Sequence, residues 1–151
     1  MAKPMVTIKV SHIDTPADLQ EAFKIREVVY IDEQKINRED EFDEFEDSAH
    51  HFLATADGVP AGTCRWRLTD EGYKLERFAT LPEFRKKGVG GQLMEAMLDH
   101  IAGFKASKAD KLYLNAQVTA MPLYYKYGFK EEGQRFLECG IEHQKMSRKL
   151  A

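Results

Sequence analysis

The sequence predicts a single mixed α/β (α+β) domain over residues 1–151, and three observations predict it. Short runs of period-two alternation recur along the chain, as half-buried strands require. Two stretches between them carry apolar residues at helical spacing. A basic, glycine-rich loop joins one of the strands to one of the helices. The composition, 43% apolar and 31% charged, is that of an ordinary globular protein. A chain of this length buries about 68–70% of its unfolded surface, enough for both a core and a ligand cleft.

Val6, Ile8 and Val10 alternate with Thr7 and Lys9, so the chain opens on a strand. Thr15-Pro16 then starts a helix, with the threonine as N-cap and the proline at the first helical position. Leu19, Ala22, Phe23, Arg26, Val29 and Tyr30 share one of its faces. Residues 39–47 hold seven acids in nine positions, with Phe42 and Phe45 as the only apolar anchors. Residues 51–56 and 60–68 read as strands, joined by a tight Asp57-Gly58 hairpin. Residues 73–81 form a strand with apolar groups on both faces, hence a central one, and Pro82 ends it. A helix over 90–102 follows from Leu93, Met94, Met97, Leu98 and Ile101, with Gly103 near its C-cap. Residues 111–116 read as a strand, 121–127 as a short helix ending at Gly128, and 135–137 and 143–148 as the last strands. The expected order is β-α-(α)-β-β-β-α-β-α-β-β, with Trp66, Met94 and Met97 in the core.

The net charge of −3 excludes a broad nucleic-acid footprint. The charges are segregated, acidic over 39–47 and basic on balance over 77–87, which suits a cationic substrate meeting an anionic cofactor. Cys64 and Cys139 form no CxxC or Cys/His set, so free buried thiols of a reducing compartment are expected. His50 and His51 carry no accompanying ligand set, and no metal is expected. No stretch approaches the ~18 apolar residues of a membrane span, and no apolar run after Met1 marks a secretory signal. The expected setting is the cytoplasm, without a membrane partner.

The most informative segment runs over 75–93: a strand, a Pro-bounded turn, the loop Arg85-Lys86-Lys87-Gly88-Val89-Gly90-Gly91, then an amphipathic helix. Unpaired N–H groups and a partial positive charge at a helix N-terminus favour an anion. Glycines at 88, 90 and 91 are expected to let phosphate oxygens near the backbone, with Arg85, Lys86 and Lys87 adding full charges. A nucleotide P-loop needs Gly-Lys-Ser/Thr, which is absent. A dinucleotide fingerprint needs a third glycine where Leu93 stands.

Arg85-Lys86-Lys87-Gly88-Val89-Gly90 resembles the R/Q-x-x-G-x-G/A loop of the GNAT N-acetyltransferases. Leu123-Tyr124-Tyr125-Lys126-Tyr127-Gly128-Phe129 resembles the second signature of that family, F-Y-x-K-x-G-F, and Phe78-Ala79-Thr80-Leu81-Pro82-Glu83-Phe84-Arg85 resembles its strand-to-loop entry. Further segments, among them Cys64-Arg65-Trp66-Arg67, Leu114-Asn115-Ala116-Gln117 and Gly140-Ile141-Glu142-His143, are similar to the small bacterial GNATs of the YjcF/ElaA-like group. The resemblance implies a GNAT fold: a mixed central sheet of six to seven strands, a V-shaped splay between two central parallel strands, and about four flanking helices.

It also implies acetyl-CoA as co-substrate, an amine acceptor and no metal. The pantetheine arm would lie along Phe78, Ala79 and Thr80, the pyrophosphate on Arg85, Lys86, Lys87, Gly88, Val89, Gly90 and Gly91, and Asn115 and Tyr124 near the pantetheine and sulfur. Tyr124 would protonate or hydrogen-bond the leaving thiolate. Glu76 is the first candidate base, with Glu33 and His143 behind it. A monomer or homodimer is expected.

Each assignment has a structural alternative. Tyr124 could pack in the core, Glu76 could pair with Arg65, Arg67 or Arg77, and His143 could be structural. The run 39–47 could be a solvated loop or a wall of the acceptor site. A CoA-binding module without turnover, or a transferase of longer acyl groups, would carry the same motifs.

Overall fold

The structure, a computed structural model, describes residues 6–104 and 109–150. Its sheet is built from β1 (Ile8–His12), β2 (His50–Ala56), β3 (Val59–Thr69), β4 (Gly72–Thr80), β5 (Lys111–Gln117), β6 (Lys130–Glu131), β7 (Phe136–Glu138) and β8 (Ile141–Lys149). The strand order is β1-β2-β3-β4-β5-β8-β6, with β7 also paired to β8. Among the described residues only β4 and β5 run parallel. The described residues form eight strands where six to seven were expected. The addition is β6, whose two residues are too few to show alternation in sequence.

Four α-helices are present among the described residues: α1 (Pro16–Arg26), α2 (Arg38–Glu41), α3 (Val89–Ala102) and α4 (Met121–Lys126). Thr15 caps α1 as expected, its hydroxyl oxygen accepting from the Asp18 N–H at 3.2 Å, with Pro16 in the first turn. Beyond Arg26 the helix widens into a π-helical segment over Glu27–Glu33, closed by a Gln34 N–H to Val29 carbonyl bond of 3.2 Å. Hydrogen-bonding five residues back leaves no mark in sequence, and the single face drawn through Val29 and Tyr30 missed the change of pitch. At the β2–β3 hairpin, Asp57 and Gly58 both have positive φ (49° and 82°), the type I′ geometry that Asp-Gly favours.

One face of the sheet is covered by α3, whose Leu93, Met94, Met97 and Ile101 pack fully buried with Phe52, Trp66, Leu75 and Leu114. Each such side chain contributes about 1.5–3 kcal/mol on burial. Ile25, Val29 and Tyr30 pack with Leu53 and Ala79 in a second cluster. Gly62 in β3 permits the start of α3 to sit against the sheet: a Cβ there would lie 2.6 Å from Val89 Cγ1 and 3.0 Å from the Ala79 carbonyl oxygen.

The feature that makes the site is an interruption in β4. Thr63 pairs with Ala79, but Arg65 pairs with Glu76, so β4 carries one residue more than β3 over this stretch. Arg77 sits in that bulge with φ 59°, a conformation costly for a non-glycine residue. On the other side, β4 and β5 pair only at Tyr73–Leu112 and Lys74–Tyr113. Past those two pairs the strands diverge, which is the expected V-shaped splay.

Candidate active site

The splay opens a cleft of about 160 Å³. Glu76, Arg77 and Phe78 line it from β4, Asn115 and Gln117 from β5, and Tyr124 from α4. Tyr30 and Gln34 close it from the π-helical side, and Cys139 and His143 from the turn and strand at β8. The Leu81 N–H bonds the Ala61 carbonyl of β3 at 2.9 Å, so strand alternation turns the peptide groups of Phe78 and Thr80 away from β3. Two side chains meet those carbonyls: the Tyr30 hydroxyl donates to Phe78, and Arg85 Nε donates to Thr80 at 3.1 Å.

Tyr124 is 6% exposed, its ring edge-on to Phe78 with centroids 5.7 Å apart. No hydrogen bond engages its hydroxyl among the described residues. Burial, with a further push from Cys64, raises its hydroxyl well above the ordinary tyrosine range. Tyr124 therefore keeps its proton at neutral pH and can offer it as a hydrogen bond to charge that develops on a departing sulfur. Tyr30 is likewise pushed up by burial and by Glu41.

Arg85, Lys86, Lys87, Gly88, Val89, Gly90 and Gly91 do not line this cleft; they form the entry to α3. Gly88 is the N-cap, left-handed at φ 89°, and no side chain caps the helix. The first intrahelical bond runs from Gln92 N–H to Gly88 carbonyl (3.1 Å), and among the described residues the Val89, Gly90 and Gly91 N–H groups have no backbone partner, as an anion site requires. Two of the glycines also meet α4. A Cβ on Gly90 would meet Leu123 Cδ2 at 3.2 Å, and one on Gly91 the Tyr127 hydroxyl at 3.0 Å. α4 and its C-terminal residue thus pack closely on those two positions. The same packing, with a Tyr127 hydroxyl to Gly91 carbonyl bond of 3.2 Å, fixes the loop relative to the helix that carries Tyr124.

Arg85 is not a free cation. It forms a two-pronged pair with Glu33, at 2.9 Å for Nη1, and the pair depresses the Glu33 carboxyl. Glu33 does not line the cleft, so its candidacy as base is set aside.

Glu76 lies in the cleft and is ion-paired as well. Its carboxylate meets Arg67 Nε at 2.6 Å, Arg65 Nη2 at 3.1 Å and Lys74 Nζ at 3.5 Å. Behind it lies a buried charge network that the sequence did not reveal. Arg65 grips Asp43 through both terminal nitrogens (2.9 and 2.6 Å), and Arg26 grips Glu46 likewise (2.8 and 2.7 Å). Arg26 also meets Glu41 at 2.8 Å, and Arg77 meets Asp43 at 3.1 Å. Burial alone would raise the Asp43 carboxyl, but the Arg65 guanidinium outweighs it and holds it at about 2. Glu41 shows the opposite balance: burial raises its carboxyl despite Arg77 and Arg26. The acidic run is thus divided. Glu41, Asp43 and Glu46 turn inward onto arginines, while Glu39, Asp40, Glu44 and Asp47 face solvent.

His143 is 7% exposed, stacked on Phe136, with Nδ1 2.7 Å from the Ile141 carbonyl oxygen. A proton on Nδ1 leaves Nε2 as an acceptor. Of the two cysteines, only Cys64 is buried; Cys139 is exposed, contrary to expectation, because it forms the β7–β8 turn at φ 52°.

Residues 20–150 match the family described as Acetyltransferase (GNAT) domain. The chain is 39% identical over 129 residues to "Uncharacterized N-acetyltransferase YjcF" of Bacillus subtilis (strain 168), covering 85% of this chain and 90% of that protein. Its fold is that of a putative N-acetyltransferase from Lactobacillus plantarum (TM-score 0.82, 23% identity, 95% and 99% of the two chains). It is equally that of Escherichia coli ElaA (TM-score 0.79, 22% identity, 95% and 99%). The match takes in both the uncapped loop and Tyr124, and on it the chain belongs to the GNAT acetyltransferase family.

Proposed function

We propose that the protein moves the acetyl group of acetyl-CoA in one direct step to a primary amine of a small molecule or a protein. The observation that carries this reading is the arrangement around Tyr124: a proton-bearing hydroxyl, the open edge of β4 and an uncapped helix N-terminus held together by α4. The diphosphate binds the free N–H groups of Val89, Gly90 and Gly91, with Lys86 and Lys87 beside them, while the pantetheine follows Phe78, Ala79 and Thr80 and reaches Asn115. The neutral amine attacks the thioester carbonyl carbon, a peptide N–H near Phe78 steadies the oxyanion, and the carbon–sulfur bond breaks. Tyr124 offers its proton as a hydrogen bond to the departing sulfur. Exposed carboxylates at the cleft, Asp40 and Glu138, favour a cationic acceptor.

Glu76 takes the ammonium proton through water in this reading, positioned by Arg65 and Arg67. His143, whose Nε2 lies 3.7 Å from Glu138 Oε2 at the cleft, supports a second assignment for that step. Thiol release from acetyl-CoA over a panel of amines tests the whole proposal. Tyr124→Phe is expected to lower turnover by about 10²–10⁴ while acetyl-CoA affinity holds; unchanged turnover removes its role. Glu76→Gln and His143→Gln then separate the two bases, since only loss of the true acceptor of the proton flattens the pH profile of kcat.

A further inference from the structure

Away from the cleft, three histidines from three elements converge beside the end of α3. His12 comes from the edge strand β1, His50 from β2 and His100 from α3. Each offers a ring nitrogen, and these atoms all lie within 4.8 Å of one another. His12 Nε2 and His50 Nδ1 are 3.2 Å apart. His50 stacks on Trp66 with centroids 4.4 Å apart, and the Trp66 indole N–H donates to His100 Nδ1 at 3.0 Å. No carboxylate belongs to this group among the described residues.

We propose that His12, His50 and His100 bind a divalent first-row transition-metal ion of borderline softness, Zn²⁺ or its neighbours Ni²⁺ and Cu²⁺, with solvent in the fourth position. Imidazole is the natural ligand for these ions. Two nitrogens at about 2.0–2.1 Å from a tetrahedral ion stand about 3.4 Å apart, close to the His12–His50 spacing. His100 needs a further approach of about 1.4 Å at most from its 4.8 Å limit to reach the same spacing.

Two adjustments follow from the geometry. The His12 ring lies nearly parallel to His100 (14°, centroids 4.5 Å), so it must turn out of that stack to aim its lone pair at the ion. It is exposed on an edge strand and free to do so. His100 accepts from Trp66 at Nδ1, so in the neutral ring its proton is on Nε2 and its lone pair on Nδ1. The ion takes over that lone pair and releases the indole N–H. Occupancy would tie β1 and β2 to the end of α3, the helix whose other end forms the anion loop.

Trp66 is the single tryptophan of the chain, so its fluorescence reports this site alone. Untagged, chelator-free protein is titrated with ZnCl₂, NiCl₂ and CuSO₄, with MgCl₂ as control, by Trp66 emission and calorimetry. The expected result is saturable binding of one ion per chain, a changed Trp66 signal, and no response to Mg²⁺. His12→Gln, His50→Gln and His100→Gln should each weaken binding by about tenfold or more. His12→Gln decides if the half-buried variants melt early, because its side chain is exposed and its loss spares the core. Absence of saturable binding at roughly 100 µM Zn²⁺, an equal response to Mg²⁺, or unchanged affinity in His12→Gln would each overturn the assignment.

Discussion

The hydroxyl of Tyr30 donates to the main-chain carbonyl of Phe78, a residue 48 positions further along the chain. This bond ties the π-helical segment to the bulged strand at the mouth of the splay. Without the π turn, the helical face through Val29 would carry Tyr30 elsewhere, and the Phe78 carbonyl would face the cleft without a donor. Tyr30→Phe is expected to destabilise the fold by about 1–3 kcal/mol, the cost of a buried carbonyl left without its donor. Urea denaturation measures it, and a change within a few tenths of a kcal/mol would mean that water replaces the hydroxyl.

The Glu33–Arg85 pair is expected to matter for cofactor affinity rather than for folding. Both side chains are about two-fifths exposed (37% and 42%), and a pair so placed contributes about 0–1 kcal/mol. Glu33→Gln should leave the melting curve nearly unchanged, release Arg85 and lower KM for acetyl-CoA. A raised KM would show instead that Glu33 holds Arg85 in the binding position.

Arg65 is fully buried and meets Asp43, Glu46 and Glu76 at once. Arg65→Met removes one cation from beneath three carboxylates, and breaking a buried pair on one side costs roughly 3–5 kcal/mol. Chemical denaturation should show a loss of that size or failure to fold. Arg65→Lys keeps the charge but cannot grip Asp43 with two parallel bonds, so an intermediate loss is expected.

Asp43 sets a limit on acid stability. Its carboxyl is held at about 2, below an unfolded value of about 3.9, so its contribution is fully present above the unfolded value. As pH falls from about 4 towards 2, the unfolded chain takes up the proton first and stability declines. Melting temperature against pH should show this limb, and Asp43→Asn should flatten it at the expense of stability at neutral pH.

Local chemistry was legible in the sequence; long-range electrostatics was not. The Thr15-Pro16 start and the Asp57-Gly58 turn depend on neighbouring residues, and both form as expected. The two motifs flanking α3 and β5 located the loop and Tyr124. The charge network pairs residues 15 to 36 positions apart, such as Arg26 with Glu41 and Arg77 with the Glu41 carbonyl, and no spacing rule reports that. The acidic run therefore read as solvated loop or acceptor wall, when three of its seven acids are interior counter-charge. The bulge at Arg77 escaped for a similar reason, since an arginine at positive φ is imposed by its surroundings. His12, His50 and His100 are separated by 38 and 50 residues, and only the fold makes them neighbours.

The gap between β4 and β5 has one more consequence. Unpaired strand edges normally sit at the rim of a sheet, where they invite association between molecules. Here they lie in the middle, bounded by β3 on one side and β8 on the other. The Phe78 and Thr80 carbonyls are already met by Tyr30 and Arg85, so what the chain keeps for a guest, away from another copy's rim, is the N–H side of those peptide groups. A slender molecule carrying its own amide oxygens would find donors there in the middle of the sheet rather than at its rim.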